Sequence, residues 1–194
     1  MPGLALPQSR IRRGAIGLVR VTDSFTRPDS TTTMGRAETG QAWTALQKTW
    51  GISTNRAYNT GIDGNDGLVV LQTNRARSLD LRVTVAGVSA ANYAGLAFRC
   101  DGTSQNYWRC FLTATNVILA RIVGGSATNV LSVADATTSG VLRVLVRGSS
   151  IEVIVAGTSR GMVVDGAHLG RTWHGLYLAN GGAAFLDDYR AEVS

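Results

Sequence analysis

The segment Ala94–Ala120, AGLAFRCDGTSQNYWRCFLTATNVILA, constrains the possible fold more than any other. Two β-rich runs, Gly95–Cys100 and Tyr107–Ala114, flank the polar stretch Asp101–Asn106, which is rich in turn formers. The pattern predicts a long β-hairpin. Centring the pairing on the loop sets Cys100 opposite Cys110, Phe98 opposite Leu112 and Leu96 opposite Ala114. Strand side chains alternate, so these residues and Trp108 share one apolar face, and Arg99, Tyr107 and Arg109 share the other. A slip of one residue would bury the arginines. The apolar face needs a second layer to cover it, which means a sandwich or a barrel.

Other segments repeat the theme. Leu68–Thr73 is an apolar strand, and Leu79–Val88 sets Leu79, Leu81, Val83 and Val85 against Asp80, Arg82 and Thr84. Val141–Ala156 reads as a second hairpin turning at Ser149-Ser150. In that register Val146 faces Val153 and Val144 faces Val155 on the inside, with Arg147 facing Glu152 outside. In Phe185–Val193, simple alternation puts Asp187 on the face of Tyr189, Ala191 and Val193, where a buried carboxylate would need a partner. No convincing amphipathic helix is found. The chain is predicted to be all-β: eleven to thirteen strands in a two-sheet antiparallel jelly-roll sandwich.

Charge divides the chain unevenly. Of the net +6, residues 1–27 supply +4, from Arg10, Arg12, Arg13, Arg20 and Arg27 against Asp23. Residues 1–21 therefore read as an extended basic N-terminal arm, and residues 22–194 as the sandwich. The residues assigned to assembly are Arg10, Arg12, Arg13 and Arg20. If Ala15–Val21 is a strand, it could add to a neighbour's sheet. Eighteen arginines against one lysine reflect a GC-rich coding sequence more than a partner, and nucleic acid is not expected. No run of 18 or more apolar residues is present to span a membrane. The basic cluster follows the first apolar residues, the wrong order for a signal peptide, so export by that route is not expected.

Motifs of catalysis are missing. There is no GxSxG. The three glutamates, Glu38, Glu152 and Glu192, are too far apart in sequence to supply a carboxylate pair from one strand. His174 reads as a structural strand histidine, and the protein is not expected to be an enzyme. Cys100 and Cys110 are either cross-strand disulfide partners or two small buried side chains. With His168 and His174 they lack zinc spacing. The segment Gly61–Gly67 carries Asp63, Asn65 and Asp66 but lacks the bidentate glutamate of an EF-hand, and a plain turn is the simpler reading. Tyr107, Arg109 and Arg99 on the hairpin's outer face, with Tyr93 near its end, are the candidate ligand-binding residues.

The landmarks Asp23-Ser24-Phe25, Gly40-Gln41-Ala42-Trp43, Trp50-Gly51-Ile52, Gly95–Arg99, Asn106-Tyr107-Trp108 and Phe185–Tyr189 resemble concanavalin A-like (laminin G-type) sandwich domains. The resemblance covers residues 22–194. In arrangement the chain is similar to minor tail proteins of phages that infect actinobacteria. That resemblance implies a structural virion protein, assembled in the host cytoplasm, that docks through its arm and displays a lectin-like sandwich to host surface glycans. The expected partners are other virion proteins, further copies of the chain and a host-surface glycan. A capsid decoration protein and a carbohydrate-binding module are the alternatives. No cofactor is expected; the resemblance would set Asp23 beside Asp187 as a candidate calcium site, and a structural hydrogen-bonding role is the favoured reading of the pair.

Overall fold

A computed structural model describes residues 18–60, 66–179 and 183–194. Fifteen strands are described: β1 (Val19–Asp23), β2 (Thr44–Gln47), β3 (Trp50–Ser53), β4 (Arg56–Asn59), β5 (Asp66–Gln72), β6 (Ser78–Ala86), β7 (Tyr93–Cys100), β8 (Tyr107–Leu112), β9 (Asn116–Val123), β10 (Ser126–Ala134), β11 (Gly140–Arg147), β12 (Ser150–Val155), β13 (Thr158–Val164), β14 (Trp173–Ala179) and β15 (Phe185–Val193). They form two antiparallel sheets. One runs β13-β12-β11-β6-β15-β4-β3 with β1 also on β15, and the other runs β10-β9-β8-β7-β14-β5-β2. No helix occurs among the described residues. The predicted all-β, two-sheet jelly-roll sandwich is the observed fold.

Alternation builds the core. Along β6 the apolar residues are buried and the polar ones half-exposed, as the sequence predicts. Leu79, Leu81, Val83 and Val85 pack with Val144, Val146, Ile151 and Val153, and from the second sheet with Leu96, Phe98, Trp108, Cys110 and Leu176. Phe98 and Trp108 stack with centroids 6.2 Å apart. Each fully buried aliphatic or aromatic side chain contributes about 1.5–3 kcal/mol.

The central hairpin forms, but in a different register. Phe98 pairs with Trp108, Leu96 with Cys110 and Ala94 with Leu112. Arg99 adopts a left-handed backbone conformation (φ 50°), and the ladder to β14 shifts at the same place. This bulge inserts one residue and reverses the alternation beyond it. Arg99 thus turns inward and is fully buried, not outward as expected. Cys100 passes to the outer face while Cys110 stays inside, so the two do not face each other and both are free. The second arm ends at Leu112. It turns at Thr113, whose N–H donates to Asn116 O (2.8 Å), and returns as β9.

Two further registers differ. The β11–β12 turn is Gly148-Ser149, with Val144 opposite Val153 and Leu145 opposite Glu152. The shift is two residues, so every side chain keeps its expected face. In β15 a bulge between Asp187 and Arg190, with Asp188 at φ 49°, makes Leu186 the buried residue and leaves Asp187 half-exposed.

Strand β1 lies across the boundary expected at residue 21 and pairs with the chain's own β15, Val19 opposite Val193 and Asp23 opposite Tyr189. Arg20 ion-pairs with Glu192 at 2.8 Å. Arg10, Arg12 and Arg13, and Asp63 and Asn65 of the Gly61–Gly67 segment, lie outside the described residues.

Candidate saccharide-contact face

The outer side of the second sheet is apolar too. Leu68, Val70, Ala97, Cys100, Tyr107, Phe111, Ala120, Ile122 and Tyr177 form a second buried cluster there, with Leu46, Tyr93, Ile118 and Trp173 at its margin. They reach that side because odd positions of β8 and β14 and even positions of β5 point outward. Gly95 and Gly175 sit where an added Cβ would lie 2.0 Å from Cys110 O and 2.1 Å from Val69 O.

A polar network crosses this face. Arg109 Nη1 donates to Asp66 Oδ2 and, at 2.9 Å, to Tyr177 OH. Tyr177 OH in turn donates to Asp66 Oδ1 at 2.6 Å. The guanidinium lies 4.7 Å from the centroid of Tyr177 and 5.3 Å from that of Phe111, in cation–π range. Phe111 also meets Tyr177 (5.2 Å) and Tyr93 (5.9 Å). Burial opposes the charge on Arg109, but Tyr177 and Asp66 outweigh it and raise its pKa. Burial pushes the Tyr107 hydroxyl up to about 12.

The face is therefore a fixed network of charge and aromatic rings, most of it covered: Tyr177 is 2 % and Phe111 5 % exposed. Asp66 is its most open polar member, with 35 % of its side chain exposed, while Arg109 keeps 13 %. Tyr93 is half-exposed. Tyr107 lies on the expected side but is only 2 % exposed, because the surrounding cluster covers it. Of the candidate ligand-binding residues, the structure brings together Arg109, Tyr107 and Tyr93 and removes Arg99. It adds Asp66, Phe111 and Tyr177, which sequence reasoning missed. Their convergence depends on β5 and β14 being neighbours, and no local motif records that.

No protein-family model matches this chain, and no curated protein matches it. Solved structures do. The carbohydrate binding module CBM66 from Bacillus subtilis aligns with a TM-score of 0.67 at 15% identity, over 76% of this chain and 94% of that one. The Emp47p carbohydrate recognition domain aligns at 0.57 and 10%, over 90% and 94%. A Shewanella oneidensis protein of unknown function aligns at 0.55 and 14%, over 100% and 97%. This chain shares their sandwich fold.

Asp23, paired with Asp187 by resemblance as a calcium site, is occupied by protein groups. Its carboxylate accepts both Arg27 Nη1 and Nη2 at 2.9 Å, Trp43 Nε1 at 2.7 Å and Phe25 N at 3.0 Å. A guanidinium thus stands where a cation would. Burial, with the charges of Asp188 and Asp23, raises the pKa of Asp187. No group of three or more metal-binding side chains occurs among the described residues.

At the end of the sandwich His174 is buried. Its Nδ1 accepts the Arg99 N–H at 3.1 Å, so the proton resides on Nε2, which donates to Arg75 O at 3.4 Å. Burial lowers its pKa to about 4, and the nearby Arg99 charge adds to the effect. This fits the structural role expected for a strand histidine.

Proposed function

We propose that this protein is a non-catalytic saccharide-binding sandwich, carried as a structural part of a virion and, within it, as a minor tail protein at the tail tip of a phage. The observation that carries the saccharide reading is the Asp66–Arg109–Tyr177 network beside Phe111 and Tyr93. Sugars are bound by fixed hydrogen-bonding groups next to aromatic surfaces, and here both sit on strands that packing holds in place. Asp66 is the only carboxylate hydrogen-bonded into this network among the described residues, so the face offers recognition groups and no acid–base pair. In this reading the protein works without a cofactor.

The virion reading is supported by the resemblance of residues 22–194 to displayed tail domains and by the basic residues before β1. Docking would fall to Arg10, Arg12 and Arg13, with further copies of the chain as neighbours.

Two measurements test the pair. The full chain is applied to an array of bacterial surface glycans, beside Asp66→Asn. Binding that the substitution weakens about tenfold, a change of 1.4 kcal/mol, is expected. No binding at high protein concentration refutes the saccharide reading. Removing residues 1–17 leaves β1 whole and is expected to abolish incorporation into particles while the fold persists. Undiminished assembly refutes the docking role.

A further inference from the structure

A separate cavity of about 440 Å³ opens at the end of the sandwich that holds Arg99, a volume within the range of small-molecule sites. Three connections wall it: residues 74–77 between β5 and β6, the β11–β12 turn at Gly148, and residues 169–172 before β14. Among the described residues its charged lining is Arg75 and Arg77, with no Asp or Glu. Among the described residues neither guanidinium has an ion-pair partner.

A third arginine lies directly behind the wall. Arg99 is fully buried and donates through Nη2 to Gly148 O at 2.5 Å, while its Nε and Nη1 have no hydrogen-bond partner among the described residues. A buried cation without a carboxylate is a costly arrangement that an incoming anion would offset. The backbone of the loop that carries half-buried Arg75 and exposed Arg77 is also fixed. Arg75 O accepts Thr73 Oγ1 at 2.8 Å and His174 Nε2, and the backbone N of Arg77 is held by Ser194 O at 2.9 Å. Guanidinium groups carried on a fixed backbone suit a carboxylate, which takes two parallel hydrogen bonds from each. The remaining wall combines apolar surface from Ala76 and from Leu169, which is 53 % exposed, with the polar side chains of Asn74 and Thr172. Such a surface suits the C–H face of a sugar ring more than it suits a bare inorganic ion.

We propose that this cavity binds the carboxylate of an acidic saccharide, a uronic-acid type of residue, through Arg75 and Arg77, with Arg99 supplying buried positive charge behind Gly148. The site is distinct from the Asp66–Arg109 face and does not depend on it.

The test is an amide-resolved NMR titration of the full chain with digalacturonate, its neutral counterpart galactobiose, and inorganic phosphate. Digalacturonate is expected to shift the amides of Ala76, Gly148 and Gly170. The double substitution Arg75→Ala, Arg77→Ala is expected to weaken that binding at least about tenfold, and galactobiose to leave these amides unmoved. Arg77→Ala alone, at an exposed position, serves if the double variant misfolds, and the same weakening in direction is expected. The proposal is overturned if digalacturonate leaves the three amides in place, if the variants bind it undiminished, or if phosphate alone binds. Shifts confined to Asp66 and Tyr177 would also overturn it while supporting the other face, so the two readings fail separately.

Discussion

Replacing His174 with glutamine should change how stability depends on pH. The imidazole Nδ1 already accepts the Arg99 N–H, so a second ring proton would have to sit against a donor and close to a buried guanidinium. The folded-state pKa is accordingly about 4 against an ordinary 6.5. Below pH 6.5 the unfolded chain takes up a proton that the folded chain refuses, so stability falls as pH drops toward 4 and levels off beneath it. One pH unit is worth about 1.4 kcal/mol, so the whole interval removes roughly 3 kcal/mol, a large share of a typical domain's stability. The assay is urea unfolding followed by tryptophan fluorescence in half-unit steps from pH 7.5 to 4.5. Wild-type protein should lose about 1 kcal/mol per unit below pH 6. His174→Gln, which keeps an acceptor and a donor at similar reach, should start lower and run flatter. His168 is common to both proteins and cancels in the comparison. Parallel curves would refute the assignment of the proton to Nε2 and the burial argument with it.

Two substitutions probe the packing around the same fold. Asp23→Ala removes the acceptor of Arg27, Trp43 and Phe25 together and should cost about 3 kcal/mol in chemical unfolding; a loss below 1 kcal/mol would mean that the ion pair is solvated. Gly175→Ala places a methyl 2.1 Å from Val69 O, a contact with backbone that cannot yield, and should prevent soluble expression, whereas a stable, soluble variant would refute the close approach of β14 to β5.

What the sequence revealed and concealed has a physical pattern. Faces were legible wherever a strand alternates without interruption, as in β6 and in the β11–β12 hairpin, where a two-residue shift in register changed no side chain's side. They were lost at single-residue insertions. Arg99 and Asp188 each hold a left-handed backbone conformation that carries little signature when the residue is not glycine, and each reverses the alternation around it. Arg99 was therefore expected in solvent and is buried, and Asp187 was expected inside and is half-exposed. The candidate face was half legible. Tyr107 and Arg109 share a hairpin that local pattern exposes, but Asp66 and Tyr177 join them only through pairing across more than forty residues of chain. The end cavity, which draws on three separate connections, left no local trace at all.

The pairing of β1 with β15 also sets how the molecule carries load. Because these neighbours run antiparallel and Val19 lies opposite Val193, the backbone enters and leaves the sandwich at one corner. A pull applied between the two ends would act across the strands and open their hydrogen bonds one rung at a time, as a zip opens. A pull through residues before β1 alone, balanced by a ligand gripped elsewhere on the sandwich, would load the strands along their length, where several rungs share the strain. A module hung by one end resists in its stronger direction.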